Sequence, residues 1–420
     1  MKTRLIVMLG CLAACVVTAS TAAAASPALK PTLSVALSER FDSNVMLQDH
    51  GALQRIESWV TSVQPVLGVS RSWAGPWPGS LRLQYTPDFT FFHERDEESY
   101  LRHTGLWRLE GKNDRFSAWA QVRPQYTDGS SEGPIWSTPE HPGSTPALGA
   151  AEVRYRRRNF YWQSPLEARY DRDRWFARGV FEARVWDIMV EDRQVPGSTY
   201  QNYVDRTDVV GGPDLGLKVA PGWALSAGYR FGHQDHEQHP FAEPYTYQND
   251  YHRVLGGLAV SPVAWLKASG EAGPSFHQFN RSSLPPGADP HETLFYYAFN
   301  LTLRLGTNTT LQGQGSQHLL PSTGGRATFQ NIRLTGTLEQ RLRPDLRAAF
   351  RFDLQEYDMI RGVNTRDQVF TPEARLEYTL NRHFAFNAWY AYEWAEALEP
   401  GTAGREYSRH VVGLGLRATY

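Results

Sequence analysis

The sequence predicts an all-β fold, a transmembrane antiparallel β-barrel of about 18 strands with short periplasmic turns and long extracellular loops. Apolar and polar side chains alternate in repeated segments of about ten residues. The connections alternate between short turns and long polar loops, and aromatic residues collect at both ends of the segments. A secreted soluble β-sandwich or propeller also contains many short strands, but it predicts no such asymmetry between its connections.

The alternating segments follow one another through the whole chain. Turn-forming residues separate them, as in the Gly- and Pro-rich run 73–79 and at Pro221-Gly222. The predicted strands lie at 33–38, 59–69, 81–91, 101–109, 116–126, 160–170, 175–185, 209–219, 225–231, 254–260, 266–276, 295–305, a weak strand around Leu311, 332–338, 348–354, 370–380, 384–390 and a closing strand that ends at Tyr420. An even number of strands lets a closed antiparallel barrel keep both termini on one side.

Loop length and aromatic position define the two ends of the predicted barrel. Connections after even-numbered strands are short, and those after odd-numbered strands are mostly long and polar, as at 127–150, 188–207 and 233–251. Two aromatic groups bracket the aliphatic band, as amphipathic rings do at lipid headgroups. Trp73, Trp77, Trp175, Trp223 and Trp265 lie near the short turns, and Phe91, Tyr126, Phe231, Phe276, Phe295 and Tyr392 lie toward the long loops.

The last residues read as a strand that stops on an aromatic side chain. An exposed final strand is a liability in a soluble sheet, whereas a strand that closes a barrel has no free edge. The segment resembles the C-terminal assembly signal of bacterial outer-membrane proteins, with terminal Tyr420 and with Gly415 five positions earlier. Ala418 stands where that signal more often has a large apolar residue. We therefore expect Tyr420 to face lipid and this strand to engage the outer-membrane assembly machinery.

Residues 1–25 have the layout of a secretory signal peptide, with a basic start, an apolar run and a small-residue cleavage site. We predict Sec-type export, a mature barrel over 26–420 and a location in the outer membrane of a Gram-negative cell. Both cysteines, Cys11 and Cys15, lie in this leader, so cleavage after Ala25 leaves a chain without thiols. The alternative is that Leu12–Cys15 is a lipobox and Cys15 a lipidated N-terminus.

If the apolar side chains face lipid, the alternate set lines the lumen. A barrel of this size is wide enough for a water-filled channel. In the lumen set arginines outnumber carboxylates, which indicates a cationic pore for anionic solutes or acidic sugars. The other interpretation is that arginines and carboxylates on neighbouring strands simply pair with each other. The candidate lumen and solute-binding residues are Arg102, Arg123, Arg178, Arg184, Arg230, Arg304, Arg347, Arg351, Arg375, Trp119, Trp186 and Trp389.

Other candidate sites are weaker. The run His233–His239 holds three histidines, but on a predicted external loop a solvated tip explains it better than a metal site. Arg154–Arg158 is either a basic patch for a polyanion or a strand at the pore mouth. No catalytic triad, phosphate-binding loop or zinc motif stands out, and neither a cofactor nor a metal is predicted. A formal net charge of -1 argues against a nucleic-acid partner.

The stretch Leu33–Val45 ends the first strand with Phe41-Asp-Ser-Asn44. With the leader and the strand pattern, this motif resembles the putative β-barrel porin type 2 family. The resemblance implies a channel for exopolysaccharide export, with periplasmic export components as expected partners. Outer-membrane lipid is the expected partner of the apolar barrel face. A general diffusion porin for small or anionic solutes, and a lipid-modifying barrel enzyme, are the alternatives.

Overall fold

Alternating side chains and frequent turns give this chain strands and almost no helix. The computed structural model describes residues 29–47, 49, 55–130, 156–189, 205–237, 245–321, 328–361, 366–398 and 406–420. They form one sheet of 18 antiparallel strands in which each strand pairs with the next and β1 also pairs with β18. The predicted closed barrel is confirmed. Among the described residues, no helix is long and apolar enough to cross a bilayer.

The strands are longer than the alternating segments of the sequence. Their bounds are β1 (Lys30–Asp42), β2 (Ser58–Trp73), β3 (Gly79–Phe92), β4 (Tyr100–Lys112), β5 (Phe116–Asp128), β6 (Asn159–Arg172), β7 (Trp175–Ile188), β8 (Asp205–Ala220), β9 (Trp223–Glu237), β10 (Asn249–Val263), β11 (Leu266–Phe279), β12 (His291–Leu305), β13 (Thr309–Pro321), β14 (Thr328–Arg343), β15 (Leu346–Arg361), β16 (Arg366–Thr379), β17 (Phe384–Ala397) and β18 (Tyr407–Thr419). Two 3-10 turns, Asp96–Glu98 and Arg281–Ser283, lie between strands.

The two barrel ends differ as the sequence predicts. Connections after even-numbered strands are tight turns, as between Arg172 and Trp175, and we call this side the turn end. Most connections after odd-numbered strands are longer, as between Asp42 and Ser58, and we call this side the loop end. Residues 1–28 lie outside the described part of the chain, so the signal peptide and the lipobox alternative stay predictions.

The barrel closes where β1 meets β18. Their register runs from Ser34 opposite Thr419 to Asp42 opposite Val411, and the Tyr420 N–H donates to the Leu33 carbonyl at 2.9 Å. Since every strand has two neighbours, no free edge remains in this sheet. Tyr420 is 94% exposed on the outside, as expected of a lipid-facing ring.

Period two separates the two faces of the wall. Large apolar residues such as Leu215, Phe295 and Leu414 are exposed on the outer face, where a soluble protein would bury them. Polar and charged residues such as Asp214, Arg230 and Asn331 are buried on the inner face. The alternation that predicts a membrane barrel is therefore realised along the wall.

The loop ends of β13 and β14 separate from β12 and turn into the lumen, while β14 stays paired with β15. β12 pairs with β13 only from Tyr297 opposite Gln317 toward the turn end, while β13 and β14 stay paired to their tips. The Gln234 amide of β9 lies 3.4 Å from the Leu319 carbonyl of β13, although three strands separate these two in the sheet. This contact places the β13–β14 tip inside the lumen, over the inner face of β10 to β12 and against β9.

Candidate solute path in the barrel lumen

A cavity of about 520 Å³ lies in the lumen between the inner faces of β5 to β12 and the inward tip of β13. Strand alternation turns its polar lining inward, and the tip of β13 adds Ser316, His318 and Leu319. Its size is within the range of small-molecule sites. Of the twelve residues predicted to line the lumen, four lie in this cavity: Trp119, Arg178, Arg184 and Arg230.

One carboxylate holds two of the predicted arginines together. Asp214 of β8 accepts from Arg178 Nε at 2.6 Å and from Arg230 Nη1 at 2.6 Å. Glu271 of β11 lies 3.3 Å from Arg178 and 3.4 Å from Arg230, and Glu167 lies 3.8 Å from Arg178. Because Asp214 and Arg230 are buried, this cluster ties β7, β8, β9 and β11 together. It contributes little net positive charge to the lumen.

The neighbouring predicted residues are also engaged. Arg184 donates to both oxygens of Glu182 at 2.8 Å. The ring of Trp186 carries the Arg206 guanidinium 3.6 Å from its centroid, which leaves less of that face for a sugar. Trp186 itself lies outside the cavity lining.

The remaining predicted residues do not converge on the cavity. On β15 to β17, Arg351 lies 3.6 Å from Asp353, Arg375 donates to Glu373 at 3.0 Å, and Arg375 lies 5.5 Å from the Trp389 ring. Arg102 lies over the Tyr100 ring at 4.7 Å. Three predicted residues are exposed on the inner face away from the cavity: Arg123, Arg304 and Arg347. Much of the predicted positive charge is thus neutralised by pairing, and binding of a solute by these residues stays a prediction.

Sequence reasoning missed Arg253, Asp208 and Tyr296, which all line the cavity. Arg253 and Asp208 each stand one position before a predicted strand, because β10 and β8 begin earlier than their apolar alternation. Tyr296 lies between two outward aromatic residues and reads as part of an apolar run. Extending the alternation backward by one residue places both Arg253 and Asp208 on the inner face.

The loop end of the lumen is filled by two apolar clusters. The first mouth cluster packs Val45, Met46 and Leu47 of the β1–β2 connection against the inner ends of the surrounding strands, at Val60, Phe92, Phe329, Tyr357, Val369, Ala395 and Tyr407. The second mouth cluster comprises Tyr247, Phe279, Leu284 and Leu319. The inward tip contributes to both clusters, through Phe329 and Leu319. The described residues of the β1–β2 connection and of the inward tip therefore narrow the lumen at its loop end.

The Phe41–Asn44 motif directs the first of these segments inward. Asp42 accepts from Arg409 Nε at 2.8 Å, from Arg409 Nη2 at 2.6 Å and from the Asn44 N–H at 3.1 Å. The Asn44 amide donates to the Ser408 carbonyl at 3.0 Å, and the His410 N–H donates to the Ser43 hydroxyl at 2.8 Å. The motif thus fastens the β1–β2 connection to β18 across the closing junction.

The two minor candidates take other roles. The expectation that His233–His239 forms an external loop is wrong for its first part, because β9 continues to Glu237. Alternation sends His233 outward to Asp250 at 2.6 Å and buries His236 inside, so the two do not share a face, and His239 lies outside the described residues. In the part of the chain that the structure describes, no group of three metal-ligating residues converges.

The basic run 154–158 is not a strand where it is described. Arg157 donates to Glu98 at 2.9 Å, and Arg156 donates to the Val45 carbonyl at 2.6 Å. Both guanidinium groups are buried beside the first mouth cluster, so they brace the inward segment rather than present a basic surface. Arg154 lies outside the described residues.

Comparison with known protein families supports the resemblance seen in the sequence. Residues 297–420 match the profile of the family described as "Putative beta-barrel porin 2". The resemblance to this family is confirmed over that C-terminal region. The matched residues run from Tyr297 in β12 to the end of β18 and include the inward tip of β13 and β14, whereas the Phe41–Asn44 motif lies outside them. The chain is thus a closed 18-stranded barrel whose C-terminal region is similar to a family of β-barrel porins.

Several solved structures match this chain at low sequence identity. OccAB3 of Acinetobacter baumannii is 10% identical, with 93% of this chain and 99% of that chain covered at a TM-score of 0.44. OpdO of Pseudomonas aeruginosa is 10% identical, with 93% and 97% covered at 0.43. The siderophore receptor PiuA of Acinetobacter baumannii is 9% identical, with 94% and 82% covered at 0.42. The chain has no significant match among curated proteins.

Proposed function

We propose that this porin-like barrel is a channel that passes a surface polysaccharide out of the cell. The observation that carries the proposal is a closed barrel whose inner face is polar along its strands while its outer face is apolar. Paired charges, hydroxyls and amides such as Glu182, Ser226 and Asn300 line the cavity. Sugars present many hydroxyls and few charges, so a wall of balanced donors and acceptors fits them better than a strongly cationic wall.

The same features weigh against unselective diffusion of small anions. Pairing of Arg178, Arg230 and Arg375 with carboxylates weakens the field that would attract anions. The mouth clusters also narrow the loop end, so a polymer passes only when the segments around Val45–Leu47 and the β13–β14 tip move aside. Periplasmic export components are the expected partners, and a Sec-type leader the expected route to the membrane.

Two experiments test this proposal. Purified barrel in a planar bilayer should give discrete conductance steps, whereas a lipid-modifying barrel enzyme should give none. Deleting the gene should lower surface polysaccharide and cause polymer to accumulate inside the cell, and the wild-type gene should reverse both effects. Conductance with unchanged surface polysaccharide would indicate a diffusion channel and contradict export.

A further inference from the structure

Arg253 of β10 differs from the other arginines that line the cavity. It is 8% exposed, and its guanidinium lies between two rings, 4.3 Å from the centroid of Tyr251 and 4.2 Å from that of Tyr296. Its Nε donates to the Ser275 hydroxyl at 3.3 Å. Within the described ranges its two terminal nitrogens bond to no carboxylate. Arg230, its neighbour in the β9–β10 register, is by contrast fully paired with Asp214.

A buried charge without a counter-charge is unfavourable unless something else compensates it. The rings of Tyr251 and Tyr296 supply part of that compensation through their π faces. They leave the terminal N–H groups with unused donor capacity, and Arg253 lines the cavity. These groups are arranged to receive an anion with planar, two-oxygen geometry.

Asp208 of β8 lines the same cavity and offers an unused hydrogen-bond acceptor. It is 7% exposed, and its Oδ2 lies 3.7 Å from Arg206 Nε. Its Oδ1 accepts no hydrogen bond from any residue that the structure describes. A buried acceptor of this kind is satisfied by a ligand that brings a hydroxyl donor. The cavity therefore offers donors for an anion and an acceptor for a hydroxyl.

The unused donors of Arg253 and the unused acceptor of Asp208 together select a class of ligand. A hydroxycarboxylate carries a group for each, a carboxylate for Arg253 and a hydroxyl for Asp208. A neutral sugar leaves the Arg253 charge uncompensated, and a dianion such as phosphate brings a second negative charge toward Asp208 and Glu182. The volume of about 520 Å³ accommodates a single pyranose ring.

We propose that this cavity is a subsite for the uronic-acid unit of an acidic polysaccharide, held by Arg253 at its carboxylate and by Asp208 at a ring hydroxyl. The assignment rests on the proposed export function and adds the substrate class. The β13–β14 tip completes the site from the lumen side through Ser316 and His318. A uronate unit is thus held where the inward tip meets the inner face of β8 to β12.

The test is calorimetric titration of purified, folded barrel in detergent with glucuronate, glucose, acetate and inorganic phosphate. Glucuronate should bind more tightly than each of the other three. Arg253→Gln should weaken glucuronate binding by at least about tenfold, since charge-assisted hydrogen bonds are lost. Asp208→Asn should narrow the preference for glucuronate over acetate. Arg382→Gln removes an exposed arginine of the turn between β16 and β17 and should leave the affinity within about twofold of wild type.

Several outcomes would overturn the assignment: unchanged affinity in Arg253→Gln, glucose binding as tightly as glucuronate, or phosphate binding more tightly than both. Arg253→Lys keeps the positive charge but removes the planar guanidinium that can donate two parallel hydrogen bonds, so it should also weaken glucuronate binding. This variant provides the test if Arg253→Gln fails to fold. Calorimetry requires no transport. A barrel that conducts without binding glucuronate therefore refutes the subsite alone, and one that binds glucuronate without conducting refutes the channel alone.

Discussion

Replacing Asp42 with Asn should release the segment that enters the lumen after β1. Asp42 is buried at 1% exposure and accepts two bonds from the buried Arg409, so the substitution leaves that guanidinium without its nearest carboxylate. Removing one partner of a buried ion pair costs about 3–5 kcal/mol. The 18-stranded ladder remains intact, and the chain relieves the cost when Val45–Leu47 leaves the lumen. Since 1.4 kcal/mol is about tenfold, even the lower end of that range should raise the displaced population by more than about 100-fold.

The assay is maleimide labelling of a cysteine placed at Leu47, a position that is 1% exposed. When labelling requires opening, its rate follows the open population, so Asp42→Asn should accelerate labelling of the Leu47→Cys chain by at least about 100-fold. The matched control is Glu377→Gln, which breaks the exposed 3.1 Å pair with Arg417 and should change the rate by less than about fivefold. Equal rates for Asp42→Asn and its parent would refute the reasoning.

Three further predictions concern the wall. Leu414→Arg on the lipid face should lower the free energy of unfolding in lipid vesicles by about 2–4 kcal/mol. The control Gln312→Arg, on the lumen face, should change it by less than about 0.5 kcal/mol. Equal effects would mean that the two faces are misassigned. Gly232→Ala places a Cβ against the Tyr251 ring and should cost about 1–3 kcal/mol in a urea titration, while Gly179→Ala, with open space around it, should not. Deleting Tyr420 should reduce the amount of folded barrel in the outer membrane by heat-modifiability on gels, and Tyr420→Phe should restore it; normal assembly of the deletion would exclude an assembly role.

Local patterns of residues explain why much of the fold can be predicted from the sequence. Side chains of a strand alternate between faces, so Leu33, Val35 and Leu37 identify the lipid face of β1 and Ser34 its other face. Turn residues mark each return of the chain. The strand count and the closing β1–β18 pair follow from these local signals. Strand ends at the loop end are harder to locate, because inward polar residues such as Asp208 and Arg253 interrupt the apolar alternation.

The sequence by itself determined the barrel class, the number of strands, the two faces and the two unlike ends, because each depends on neighbours within a few positions. Only the tertiary structure decided which arginines are paired, that Asp42 meets Arg409 and that the β13–β14 tip turns inward to reach Gln234. These contacts join residues far apart in the chain, and a period of two says which way a side chain points but not what it meets. The cavity around Arg253 is therefore a product of barrel closure and the inward tip together.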